Sequence, residues 1–173
     1  ALKANTTASN NTGIGYRALL SNTTGANNTA LGYEALKDNT TGAQNVAIGM
    51  YGLANNTTAS ENFAGGYNAL GANTTGASNI GIGHRTLQSN TTASNNTAVG
   101  FEALKSNTTA GSSVAIGTSA GYSQTTNGQN VFVGQSAGYY TDGYKNCYVG
   151  FNAGDAMTTG DNNTIIGSFS GNE

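Results

Sequence analysis

NTALGYEALKDNTTGAQ (28–44) decides how this chain folds, because NTAVGFEALKSNTTAGS (96–112) repeats it with few changes. Its Asn-x-small-apolar-Gly core recurs along the whole chain. The Gly returns at Gly15, Gly32, Gly49, Gly66, Gly83, Gly100, Gly117 and Gly134, every 17 residues, then at Gly150 and Gly167. Units begin at Asn11, Asn28, Asn45, Asn62, Asn79, Asn96, Ser113, Asn130, Asn146 and Asn163, and positions within each are numbered from that residue. The unit starting at Asn130 has 16 residues. Similarity between 11–24 and 79–92, and between 28–42 and 96–110, adds a 68-residue period that points to duplication of a four-unit block. The chain enters at position 8 of one unit and stops at position 11 of another. The expectation is a single repeat domain over 1–173 from a longer or processed protein. It has a partial coil at 1–10, six Ala-Leu units at 11–112 and Ala-Gly units at 113–173.

Gly, Asn and Thr recur inside every unit and are poor helix formers, which argues against helical repeats. Seventeen residues suit one turn of a parallel β-solenoid or β-roll. Positions 1–6 are rich in β-branched and aromatic residues, as in Asn45–Met50, and Gly, Asn and Ser punctuate the corners. The expected architecture is all-β: about ten coils, two short strands per coil, the second at the Asn-Thr-Thr of positions 12–14. At ~4.8 Å per stacked coil the rod would be roughly 48 Å long.

Differences between units indicate which side chains share space. Six units pair a small position 3 with Leu at position 9, from Gly13 with Leu19 to Ala98 with Leu104. Phe132 with Gly138, Tyr148 with Gly154 and Ile165 with Gly171 reverse the order, and Ala115 with Gly121 is small at both. Such exchange is expected where two side chains fill one close-packed space, so positions 3 and 9 are expected to face each other. Phe63 with Gly65 makes one similar exchange between positions 2 and 4. Period-two alternation places these on the other strand face.

Position 4 is apolar in nearly every unit: Ile14, Leu31, Ile48, Ile82, Val99, Ile116, Val133, Val149 and Ile166. An uncovered file of this kind would be a large apolar patch. The expected cover is another copy of the chain in a homo-oligomer, with position 4 packed along a symmetry axis as a core or interface column. Turns folded over that face, or reversed facing, are the alternatives.

The Asn-x-Ala-Ile-Gly-x-x-Ala unit resembles the head repeats of trimeric autotransporter adhesins, and NVFVGQSAGYYTDGYK (130–145) is similar to segments of phage and bacterial tail-fibre-like proteins. The resemblance implies a trimeric, left-handed parallel β-roll at a cell or virion surface. This unit is longer than the head repeat by its Asn-Thr-Thr segment, and the chain shows no neck, stalk or anchor. The resemblance carries over no binding residues.

Composition narrows the function. Charged residues make up 8% of the chain, with six Lys and Arg and a formal net charge of -2, against about 25% in an average domain. That excludes an electrostatic nucleic-acid binder, and no apolar run is long enough to span a membrane as a helix. One Cys and one His allow neither a disulfide framework nor a Cys-rich metal site. Cys147 falls in the apolar position 2 column, and His84 in the position 6 column with Tyr67 and Phe101, so both read as packing groups. The acids Glu34, Asp38, Glu61, Glu102, Asp142, Asp155, Asp161 and Glu173 do not recur once per unit, as a calcium ladder would require. Arg17 with Glu34 and Arg85 with Glu102 share position 7 in adjacent coils and should form surface pairs. No set of nucleophile, acid and base recurs, so no catalysis and no cofactor are expected.

The Asn-Thr-Thr column admits three readings. Its Asn amides would stack as a corner ladder. Alternatively Thr24, Thr41, Thr58, Thr75, Thr92 and Thr109 form a regular surface ladder suited to ice binding. Thirdly, Asn22 and its equivalents are glycosylation sequons. Late aromatics, chiefly Tyr139 and Tyr140, are candidate contacts for a surface glycan or protein receptor. The reading as a whole is an extracellular, cell-surface or virion fibre segment, a homotrimeric spacer or adhesive head. An ice-binding solenoid is the alternative.

Overall fold

The computed structural model describes residues 1–171 as a stack of parallel coils; Glu173 lies outside these residues. Each coil contributes one three-residue strand at positions 2–4: β1 (Thr12–Ile14), β2 (Thr29–Leu31), β3 (Val46–Ile48), β4 (Phe63–Gly65), β5 (Ile80–Ile82), β6 (Thr97–Val99), β7 (Val114–Ile116), β8 (Val131–Val133), β9 (Cys147–Val149) and β10 (Thr164–Ile166). They form one ten-stranded parallel sheet in chain order. Equivalent residues pair throughout, as Ala30 with Ala47 and Val131 with Cys147, so the 16-residue coil keeps the register.

The fold is the expected all-β parallel solenoid, with one correction: the second strand at Asn-Thr-Thr is replaced by a tight corner. The N–H groups of Thr23 and Thr24 both donate to the carbonyl of Thr40, at 2.9 and 3.2 Å. Successive N–H groups of a pleated strand point to opposite sides and cannot share one acceptor. The Thr23 hydroxyl donates to the same carbonyl at 3.0 Å, and this pattern repeats along the corner.

Positions 3, 8 and 9 build a thin dry core. Ala30, Ala35 and Leu36 are fully buried, as are Phe132 and Tyr148 further along. Position 9 is left-handed in every coil, with Leu53 at φ +48° and Gly138 at φ +62°. A leucine there is strained by its own Cβ, and full burial of its side chain offsets that strain. The Leu-to-Gly change therefore does two things: it removes volume and it relieves the backbone. The shared space is direct. A Cβ on Gly154 would stand 2.6 Å from the Tyr148 ring, and one on Gly138 would overlap the Phe132 ring. A Cβ on Gly121 would stand 2.5 Å from Phe132 and 2.8 Å from Leu104. Phe132 thus leans into the preceding coil, which accounts for a unit that is small at both positions.

The Gly at position 5 answers to a neighbouring backbone. Gly32 has φ +143°, and a Cβ on it would lie 2.5 Å from the carbonyl oxygen of Gly49 in the next coil. Only glycine permits coils to stack this closely there.

Two buried amide ladders hold the polar side of the interior. At position 1, Asn28 Oδ1 accepts from the backbone N–H of Asn45 at 2.9 Å. At position 12, Asn39 Nδ2 donates to Asn22 Oδ1 at 2.8 Å. Both ladders converge on the carbonyl at position 15: Gly42 O accepts from Asn28 Nδ2 at 2.8 Å and from Asn39 Nδ2 at 2.9 Å. Buried amides are tolerated here because each finds its partners.

Candidate functional site

Positions 2 and 4 point out of the coil. The ring of Phe63 lies over Gly65, where an added Cβ would be 3.2 Å from it, so these two positions share the outer face. Position 4 is uncovered within one chain. Ile14 is 58% exposed, Leu31 44%, Ile116 44% and Ile166 72%, with Ile48 and Ile82 similar; Val99, Val133 and Val149 are half-buried. A near-continuous aliphatic stripe therefore runs along the outer face of the sheet, interrupted at Gly65.

Beside it stands the position 6 column. Tyr16 stacks on Tyr33 with centroids 5.1 Å apart, and His84 is sandwiched between Tyr67 and Phe101, each at 5.1 Å. His84 is thus a stacking member of the column. Cys147 is half-buried on the outer sheet face with no disulfide. Among the described residues no three His, Cys, Asp or Glu side chains gather as a metal site.

The next flank carries positions 7, 10 and 11. Glu34 binds Arg17 at 3.2 Å and Lys37 at 3.6 Å. Glu102 binds Lys105 at 2.8 Å and Arg85 at 3.6 Å. The Lys105 hydrogen bond is the main cause that holds the Glu102 carboxyl below its ordinary range, and Glu102 raises Lys105 in return. Lys105 also reaches the Tyr122 hydroxyl at 3.1 Å. Tyr122 stacks on Tyr139 at 4.8 Å, and Tyr139 meets Tyr140 edge-on at 4.7 Å. The two candidate tyrosines therefore sit together. Tyr140 is exposed, whereas burial pushes the Tyr139 hydroxyl up.

On this flank an open groove of about 400 Å³ crosses coils 2 to 5, between Glu34 and Lys37 at one end and Gln88 at the other. It exists because position 10 shrinks to Ala54 and Gly71, where the adjoining coils carry Lys37 and Gln88, and position 11 of one of these coils is Ala72. The groove does not stand out in the repeat pattern. The dip in size at position 10 of two adjacent units was the available signal.

At the remaining corner Thr24, Thr41, Thr58, Thr75, Thr92 and Thr109 are all exposed, and Thr7 and Thr126 extend the file. Their position 13 neighbours are half-buried by the bonds to the next coil. The sequon asparagines Asn22, Asn39, Asn56, Asn73, Asn90 and Asn107 are fully buried. Their Nδ2 atoms donate along the ladder, so the folded chain offers none of them to a glycan.

The file stops at the 16-residue coil. There the outward Thr is deleted, and the corner N–H groups donate to the side chain of Asp142 while its backbone carbonyl accepts from Asn127 Nδ2 at 2.6 Å. Asp142 Oδ1 accepts from the N–H groups of Thr125 at 2.9 Å, Thr126 at 3.1 Å and Asn127 at 3.3 Å, and Oδ2 from the Thr125 hydroxyl at 2.5 Å. Burial pushes its pKa up, but these four bonds outweigh burial and leave the carboxyl below its ordinary range.

Fold and surface together define a single-chain parallel β-solenoid with an aliphatic face, an ion-paired and aromatic flank and a threonine corner. The chain matches no family model, no curated protein and no solved structure.

Proposed function

We propose that this chain is a structural and adhesive fibre segment of an extracellular or virion surface protein, assembled as a homotrimer through the outer face of its sheet. The supporting observation is the aliphatic stripe of Ile14, Leu31, Ile48, Ile82, Val99, Ile116, Val133, Val149 and Ile166, broken only at Gly65, which one chain leaves exposed or half-buried. Single exposed apolar residues need no explanation, but an aligned file of them marks an association surface. A file parallel to the rod axis suits cyclic association, in which each copy presents the same column to the axis. The reading resembles the adhesin heads in period and core motif. It assigns the chain no catalytic step, no cofactor and no nucleic-acid partner. Mechanically, stacked backbone ladders and paired amides provide a stiff spacer, and the outer flanks provide the contact surface. Light scattering of wild type against an Ile48→Lys, Ile116→Lys double variant tests it. The wild type is expected at three chains and the variant at one, and a monomeric wild type removes the reading.

Ice binding is a second reading, favoured by the evenly spaced, uncharged file from Thr7 to Thr126. It predicts growth inhibition of ice by the wild type that is lost on Thr58→Lys, Thr75→Lys substitution.

A further inference from the structure

We infer that the groove across coils 2 to 5 binds a neutral oligosaccharide. Tyr51 and Tyr67 line it with ring centroids 6.2 Å apart and planes at 79°, so they form an aromatic corner. A sugar presents one face of C–H groups and a rim of hydroxyls. The C–H face packs on an aromatic ring, and the hydroxyls need amide and phenol partners.

The groove supplies those partners. Asn55, Asn68 and Gln88 line it with side-chain amides. Gln88 Oε1 is buried and accepts no hydrogen bond from any described residue. A desolvated acceptor of this kind destabilises the site until it gains a donor, and a turn of the Gln88 side chain into the groove would bring it to a sugar hydroxyl. The charges at the rim are already matched. Glu34 is held by Arg17 and Lys37, and Lys37 also lies 3.5 Å from Asp38. A neutral ligand is therefore favoured over an anion or a cation. The volume falls in the range of small-molecule sites.

This inference gives a ligand class to the adhesive half of the proposed function and rests on that reading for its biological setting. The groove itself is built within one chain. Calorimetric titration with maltotriose, cellotriose, chitotriose and β-1,4-galactotriose at millimolar concentration tests it. At least one should bind, with little change on raising salt. Tyr67→Ala and Gln88→Ala should each weaken that binding about tenfold. Ala72→Leu, which fills the groove, should abolish it, and Tyr144→Ala, far from the groove, should leave it unchanged. Circular dichroism and solution mass are recorded for every variant, so that a misfolded one is set aside and the remaining substitutions decide. Titration by none of the four sugars overturns the inference. So does binding that survives the loss of both tyrosines, or that disappears in salt. A monomer that binds would remove the trimer and leave the groove, and a trimer that binds nothing would do the reverse.

Discussion

Coils at 11–112 and coils at 130–171 share one backbone and fill it in opposite ways. The first block puts Leu at a left-handed position 9 over a small position 3, and runs an unbroken amide ladder at position 12. The second puts Phe132, Tyr148 or Ile165 at position 3 over Gly, and its ladder positions become Thr141 and Met157, with Gln124 in the coil that joins the blocks. Gln124 Nε2 still donates to Asn107 Oδ1 at 3.1 Å, and its Oε1 accepts from Asn130 at 2.8 Å. The comparison teaches that the coil conserves interior volume and carbonyl satisfaction, and that neither is tied to a particular residue.

The largest expected effect comes from moving one block's solution into the other. Leu53→Gly in the first block should cost about 2–5 kcal/mol in chemical denaturation, the range for removing a buried leucine side chain. Adding Ala47→Phe should recover only part of that. Phe132 requires Gly at position 9 of its own coil and of the preceding one, so Leu36→Gly should be needed for fuller rescue. Strict additivity of the three changes would refute the shared space. Next in size, Asn56→Ala should destabilise by roughly 1–3 kcal/mol, since it strands buried Asn39 Oδ1 without its donor. Thr141→Ala, at the equivalent place in the second block, should cost less by the same assay, because the ladder has already ended there.

Smaller still, Asp142→Asn should cost about 1–2 kcal/mol at neutral pH. Its effect depends on pH. Asp142 titrates below its unfolded value, near 4. Its contribution is complete above that value and is lost as pH falls through the folded one. Thermal melts of wild type and variant should therefore converge in acid, and a constant gap would contradict the carboxylate's role. The smallest change is expected from Lys105→Ala, whose half-buried pair with Glu102 on the outer flank should move the melting temperature least.

The columns of the alignment show why some of this was legible in the sequence. Period, parallel stacking and the facing of positions 3 and 9 follow from which residues vary together. The tight Asn-Thr-Thr corner was not legible, because Asn-Thr-Thr is compatible with a strand until two N–H groups are seen to converge on Thr40 O. Left-handed Leu53 was hidden for a related reason: local preference opposes it and only burial in the stack explains it. The missing residue at 130–145 was plain, whereas its repair by the Asp142 side chain needed coordinates. The groove required reading absence, namely small side chains at Ala54, Gly71 and Ala72.

The central claim is that the aliphatic face is covered by copies of the same chain. Light scattering on a size-exclusion column tests it most directly. The account predicts a mass near three times the 17.4 kDa of one chain. A mass of one chain, unchanged on concentration, would contradict it and leave the stripe from Ile14 to Ile166 facing water.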